Sequence, residues 1–136
     1  MLAIILCSHA GLSIGLKEAA ELICGPLEHV DALSLTEEKS MDRLQDEIRN
    51  RYEYYHELGE DTLFLVDMEH ATPYNACMAA LADTNAIIIS GMSLPMLLEI
   101  IMSRSNDKTG IPLYKEIIEK TIDSIKLEIP KEFFEN

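Results

Sequence analysis

Three short apolar runs constrain the fold of this chain more than any other feature of its sequence. They are LAIIL at residues 2–6, TLFLV at 62–66 and AIII at 86–89. Each run is continuous rather than alternating, which is typical of strands buried on both faces, as in parallel sheets. A fourth segment, HVDALSL, alternates polar and apolar residues and permits another strand. The four segments together predict a mainly parallel sheet.

Segments with helical apolar spacing follow each of these strands, and a last helix is expected from about residue 110 to 126. Thr36 is expected as the N-cap of the second helix, and Thr72, followed by Pro73, as the N-cap of the third. This alternation predicts an α/β fold with an open four-stranded sheet in the order 2-1-3-4 and helices on both faces. The mixed tail LEIPKEFFEN leaves room for a short C-terminal edge strand, and residues 1–136 contain no linker or repeat, so we predict one domain.

The charge balance restricts the partners that this protein can have. Its 24 acidic and 11 basic residues give a net charge of −13, which argues against nucleic acid and anionic membranes as ligands. A basic protein partner fits this charge, although an acidic surface also serves solubility alone. We expect a cytoplasmic protein, because no signal peptide or membrane span is recognisable and the three cysteines (7, 24 and 77) are typical of buried, reduced thiols.

Polar residues follow the apolar runs, where ligands bind in open α/β sheets. His9 ends the first run and Asp67 the third strand, and the order 2-1-3-4 makes these two strands neighbours. A carboxylate that accepts one imidazole N–H fixes the tautomer and directs the other nitrogen outward as a nucleophile. The backbone at Gly11 and the hydroxyl of Thr72 suit a phosphoryl group beside that nitrogen.

Each of these residues also has a simpler explanation. His9 alone would be an ordinary loop residue, Asp67 a capping or solvated acid and Thr72 a helix cap. His70 is either a second polar group beside His9 or a solvent-facing side chain. Histidines and an acid at this spacing are too unspecific to predict a metal site. Neither a Walker glycine loop nor a GxGxxG motif is present, so we expect no nucleotide and no cofactor.

Three motifs together resemble the IIA components of the mannose-type (mannose, fructose and sorbose) bacterial phosphotransferase system. The first is an apolar strand that ends in Ser8 and His9, where the family has SHG. The second is DMEHATPYN at 67–75, where the family has a segment like D-L-F-G-G-[ST]-P-[FY]-N. The third and most specific is SGMSLPMLLE at 90–99, similar to SG-x-N-L-P-M-L-x-E.

The resemblance implies a phosphotransferase that accepts a phosphoryl group on His9 from the phosphocarrier protein HPr and passes it to a IIB component. Asp67 would then orient His9, and Thr72 would hydrogen-bond the phosphoryl group. Gly11, His70 and Ser93 complete the expected binding residues. The resemblance also implies a homodimer that reaches the membrane only through the transporter complex.

The sequence departs from the family pattern beside the expected site. His70 and Ala71 replace two glycines, Ala10 follows His9 in place of glycine, and Ser93 replaces an asparagine. Glycine permits positive φ and close backbone approach, so the replacement of the glycine pair by His70 and Ala71 should narrow or reshape the loop that faces His9. Two other functions therefore stay open: a phosphocarrier for dihydroxyacetone kinase, and a dimeric regulatory or binding module that retains the fold without efficient phosphotransfer.

Overall fold

Strands and helices alternate along the chain in the computed structural model, which describes residues 1–135. The strands are β1 (Ala3–His9), β2 (Val30–Leu35), β3 (Thr62–Val66) and β4 (Ile87–Ser90). The helices are α1 (Leu12–Cys24), α2 (Met41–Glu57), α3 (Thr72–Ala80), α4 (Leu94–Ser105), α5 (Ile111–Asp123) and α6 (Pro130–Phe134). Among the described residues, no helix combines the length and the hydropathy that crossing a membrane requires.

The sheet confirms the predicted fold class and strand order. Within residues 1–135 it has four parallel strands in the order β2-β1-β3-β4, so β1 and β3 are the two central strands. Leu6 pairs with Ala32 on one side and with Leu65 on the other. This register brings the carboxyl ends of β1 and β3 to the same edge of the sheet.

Both faces of the sheet are covered, which explains the continuous apolar runs. On β1, Ile4 and Leu6 face a cluster that includes Leu97 of α4 and Ile117 of α5. The alternate residues of β1 and β3 face a second cluster with α2 and α3, where they meet Leu44, Ile48 and Ala76. Because successive strand residues point to opposite faces, burial on both faces requires apolar residues at every position.

The helix starts correct two expectations. α2 begins at Met41, and its N-cap is Ser40, whose Oγ accepts a hydrogen bond from the Arg43 N–H at 3.1 Å. Thr36 is therefore not the cap, and lies in the loop that precedes this helix. At α3 the N-cap position belongs to Ala71, whose side chain cannot accept a hydrogen bond, and Thr72 is the first helical residue.

Two further expectations are corrected near the surface. The tail does not extend the sheet within the described residues: residues 130–134 form α6 instead, and Asn136 lies outside the described residues. Cys7 and Cys77 are buried as predicted, but Cys24, the last residue of α1, is exposed. The apolar sequence around Cys24 gave the wrong prediction because Leu22 and Ile23 are also exposed on this last turn.

Candidate functional site

His9 and Asp67 lie side by side at the carboxyl edge of the sheet, as the strand order predicts. His9 is the last residue of β1, and Asp67 follows the last residue of β3. The Nδ1 atom of His9 is 2.7 Å from Oδ2 of Asp67, and the backbone N–H of His9 donates to the same oxygen at 3.0 Å. One carboxylate oxygen thus holds both the ring and the main chain of His9.

The carboxylate is enclosed, whereas the imidazole is open to solvent. The side chain of Asp67 is 10% exposed and that of His9 is 46% exposed. Oδ1 of Asp67 accepts the Met68 N–H at 3.1 Å, so both carboxylate oxygens are bonded. Since Nδ1 faces Asp67, Nε2 is the ring nitrogen left for chemistry.

Burial and hydrogen bonding act on Asp67 in opposite directions. Burial by itself raises the pKa of the carboxyl group, because it disfavours the charged form. The hydrogen bonds from the backbone and the ring of His9 outweigh this effect, and the pKa of Asp67 is lowered below its ordinary value. Asp67 is therefore a carboxylate at neutral pH and stabilises positive charge on the imidazole.

The first turn of α1 offers backbone donors next to His9. Gly11 occupies the N-cap position and has no side chain that accepts a hydrogen bond. The Ser13 N–H is taken by Oγ of Ser8 at 2.7 Å, whereas the N–H groups of Gly11 and Leu12 have no partner within residues 1–135. The sequence patterns predicted no contact for Ser8. The available signal was Gly11 at the N-cap position, which has no side chain to accept the first N–H groups of α1 and so leaves that role to a nearby hydroxyl.

Thr72 and Ser93 stand at the starts of α3 and α4, the helices that follow β3 and β4 at this edge. The hydroxyl of Thr72 makes no hydrogen bond to the part of the chain that the structure describes, so it is available to a ligand. Oγ of Ser93, in contrast, accepts the Met96 N–H at 3.3 Å and caps α4. The geometry thus gives Ser93 a capping contact, and its binding role stays a prediction.

The side chain of His70 makes no hydrogen bond or ring contact to His9 or Asp67 within residues 1–135. It is 77% exposed, with Nε2 3.0 Å from Oε1 of Glu69, and its ring meets the edge of Tyr74 at a centroid distance of 5.4 Å. Its backbone has a φ of 65°, the left-handed region in which glycine is most readily accommodated. Within residues 1–135, no three side chains of metal-binding type come together closely enough to hold an ion.

Comparisons with known proteins agree with this geometry. Residues 3–118 match the family model described as the PTS system fructose IIA component, EIIA-man. The chain is 33% identical to the PTS system sorbose-specific EIIA component of Lacticaseibacillus casei, over 76% of this chain and 74% of that protein. It is 30% identical to the PTS system fructose-specific EIIA component of Bacillus subtilis, over 78% and 73% of the two chains.

A solved structure shows the same fold. It is that of the PTS IIA protein associated with the fucose utilization operon from Streptococcus pneumoniae, which superposes with a TM-score of 0.81 at 20% identity over 97% of this chain and 96% of that chain. At that identity the likeness concerns the fold alone. The family match covers both central strands and the polar residues that follow β1, β3 and β4 at the carboxyl edge of the sheet. This chain therefore belongs to the mannose-type IIA family of the bacterial phosphotransferase system.

Proposed function

We propose that Nε2 of His9 accepts a phosphoryl group from phospho-HPr and passes it to a IIB component of a sugar phosphotransferase system. Membership of the mannose-type IIA family supports the general role of a sugar phosphocarrier. The observation that carries the specific assignment is the hydrogen-bonded pair of His9 Nδ1 and Asp67 Oδ2 at 2.7 Å. That pair leaves Nε2, on the opposite side of a half-exposed ring, as the nitrogen that can accept the phosphoryl group.

The transfer needs positioning and charge stabilisation rather than further covalent chemistry. The lone pair of Nε2 attacks the phosphorus of the donor phosphohistidine, the new N–P bond forms, and the donor's N–P bond breaks in line. The donor imidazole leaves with the electron pair of that bond. Asp67 remains ionised and balances the positive charge that develops on the phosphorylated ring. Transfer to the IIB component repeats the same exchange with His9 as the leaving group.

The helix starts at the same edge of the sheet offer hydrogen-bond donors for the phosphoryl oxygens. We assign this role to the N–H groups of Gly11 and Leu12 at the start of α1 and to the hydroxyl of Thr72 at the start of α3. Helix N-termini favour negative charge, because the N–H groups of the first turn have no partners within the helix. Ser93 acts indirectly in this scheme, since its hydroxyl holds the first turn of α4.

Phosphorylation in a reconstituted system tests the assignment. The protein is incubated with phosphoenolpyruvate, enzyme I and HPr, and its intact mass is followed together with that of His9→Ala and His70→Ala variants. We expect one phosphoryl group on the wild type and on His70→Ala, because the exposed His70 ring contacts Glu69 and Tyr74 rather than His9, and none on His9→Ala. A wild-type protein that stays unmodified, or a His9→Ala variant that is still modified, would contradict the proposal.

The second transfer distinguishes the possible acceptors. A phosphorylated wild-type protein that donates to IIB fits the sugar system, whereas one that donates only to dihydroxyacetone kinase subunits fits the kinase pathway. The exposed His70-Ala71 loop, which replaces the glycine pair of the family pattern, is where we expect a changed choice of partner or sugar. A regulatory module would show neither transfer.

We further propose that the protein is a homodimer whose interface includes the C-terminal segment 125–134. Its apolar side chains are largely exposed in the single chain: Ile125 at 77%, Leu127 at 87% and Phe134 at 83%. Several large apolar side chains left exposed in one short segment are typical of a binding surface. Light scattering should show a dimer for the full chain and a monomer for a Leu127→Ser/Phe134→Ser variant. The equally exposed Leu22, changed to serine, should leave the dimer intact; a monomeric full chain would overturn the proposal.

A further inference from the structure

The buried hydroxyl of Ser8, the residue before His9, makes two hydrogen bonds to main-chain groups. Ser8 has 0% of its surface exposed, although it carries a polar side chain at the end of β1. Its Oγ accepts the Ser13 N–H at 2.7 Å and donates to the carbonyl oxygen of His9 at 3.1 Å. Both the donor and the acceptor capacity of this hydroxyl are thus used.

The first of these bonds supplies the cap that α1 lacks. Gly11 stands at the N-cap position without a side chain, so the N–H groups of the first turn have no local acceptor. Ser8, on the preceding strand, provides that acceptor from a distance of five residues. Oγ of Ser13 in turn donates to the carbonyl of Leu33 at 2.8 Å, which ties the same helix turn to β2.

The second bond completes a set of contacts that fix the main chain at His9. The His9 N–H donates to Asp67, its carbonyl accepts from Ser8, and the next N–H, of Ala10, donates to Leu35 at 2.8 Å. Ala10 is held at a φ of 47°, a conformation that alanine adopts only when its surroundings enforce it. The main chain that carries the imidazole is therefore fixed in position relative to Asp67.

We propose that Ser8 is a positioning residue for phosphoryl transfer through His9. Its hydroxyl keeps the His9 ring against Asp67 and so keeps Nε2 aimed outward in one tautomer. By occupying the Ser13 N–H, it also leaves the Gly11 and Leu12 N–H groups as the donors of α1 to the phosphoryl oxygens. The inference rests on the proposed function of His9, but it makes a separate statement about the ring in the unphosphorylated protein.

The test compares Ser8→Ala with Ser13→Ala. Ser13→Ala removes the hydrogen bond to Leu33 but keeps the backbone N–H that Ser8 accepts, so it is a matched control at the same helix start. For Ser8→Ala we expect kcat for phosphorylation by phospho-HPr to fall by about tenfold or more, because small displacements of a reacting group are costly. KM should stay within about twofold, since the buried hydroxyl does not touch the partner. Ser13→Ala should retain kcat within the same range.

Nitrogen chemical shifts of the His9 ring give a readout that a purely structural role would not change. In the wild type we expect the neutral His9 ring to carry its proton on Nδ1, which faces Asp67, and in Ser8→Ala a mixture of the two tautomers. Ser8→Thr, which retains a hydroxyl and suits a strand, should restore both the tautomer and kcat. If Ser8→Ala does not fold, the conservative Ser8→Cys variant, with its weaker donor, should give intermediate values of both.

Two results would overturn the inference: wild-type kcat and tautomer in folded Ser8→Ala, or an equal loss in Ser13→Ala at matched stability. A wild-type protein that phospho-HPr does not phosphorylate would refute the proposed function instead. In that case the tautomer comparison alone would still decide the role of Ser8.

Discussion

At the scale of single residues, the Asp67 carboxylate determines what the His9 imidazole can do. It accepts the ring N–H and the backbone N–H of His9 with one oxygen, and these bonds lower the pKa of Asp67 in spite of its burial. The arrangement is asymmetric: Nδ1 is held, and Nε2 is presented at the surface. The carboxylate therefore favours the Nδ1–H tautomer of the neutral ring and leaves Nε2 as the nitrogen available for the proposed phosphoryl transfer.

Asp67→Asn should weaken both the chemistry and the fold, the latter in a pH-dependent way. Because the pKa of Asp67 is lowered in the folded state, its stabilising effect is complete above the unfolded value of about 3.9 and is lost as pH falls through the folded value. At pH 7 we expect the variant to be about 0.5–1 kcal/mol less stable. The effect is small because solvent at the half-exposed His9 ring screens its interaction with Asp67.

Urea unfolding near pH 7 and at acidic pH would measure this, and the stability difference between the two proteins should shrink as the pH falls below the unfolded value. Phosphorylation of the variant should be about 10²-fold slower, because the positive charge that develops on the His9 ring loses its stabilising carboxylate. A stability difference that does not change with pH would argue against an ionised Asp67 as its source.

The backbone at Ala10 and Gly91 offers a paired test of conformational strain. Both residues have positive φ, 47° at Ala10 and 82° at Gly91. Left-handed backbone costs a residue with a Cβ roughly 1–2 kcal/mol, so Gly91→Ala should destabilise by about that amount, although a Cβ there would meet no atom within 4 Å. Ala10→Gly should increase the stability by up to about 1 kcal/mol. The gain is smaller than the strain relieved, because glycine has greater conformational freedom in the unfolded chain. Urea midpoints check both, and a destabilised Ala10→Gly would contradict the argument.

At the scale of helices and strands, the start of α2 allows the observed N-cap, Ser40, to be compared with the predicted one, Thr36. Ser40→Ala should cost about 1 kcal/mol, because the Arg43 N–H loses the acceptor that it has at 3.1 Å. Thr36→Ala should change the stability by less than about 0.5 kcal/mol, since only its backbone carbonyl makes a hydrogen bond, to the Lys39 N–H. Thermal or urea unfolding measures the stability of both variants. Equal losses of stability would contradict the assignment of Ser40 as the N-cap of α2.

This contrast shows which features sequence patterns can predict. Burial of both sheet faces makes the central strands continuous apolar runs, and the strand order then brings His9 and Asp67 together. The choice between Thr36 and Ser40 is not encoded in the same way, because either side chain can cap a helix and the loop geometry decides. The contact from Ser8 to Ser13 joins a strand to the following helix, and apolar periodicity carries no information about it.

At the scale of the whole molecule, the net charge of −13 gives a prediction about encounter with the phosphoryl donor. Exposed acids follow β2 and β3 at the carboxyl edge of the sheet, among them Glu37, Glu38 and Glu69. A basic carrier surface would be attracted to this edge over roughly a Debye length, about 10 Å at 0.1 M salt. Electrostatic steering acts on association rather than on the bound complex.

We therefore expect kcat/KM for phosphorylation by phospho-HPr to fall roughly tenfold between about 0.05 and 0.5 M NaCl, with kcat unchanged. Glu69→Gln should lower kcat/KM at low salt, because Glu69 lies two residues from Asp67 in the loop at this edge. Glu119→Gln, on the exposed surface of α5, removes the same charge from another part of the molecule and should have a smaller effect. Equal effects of the two variants would mean that the net charge matters and not its position. A kcat/KM independent of salt would show that the acidic surface serves solubility alone.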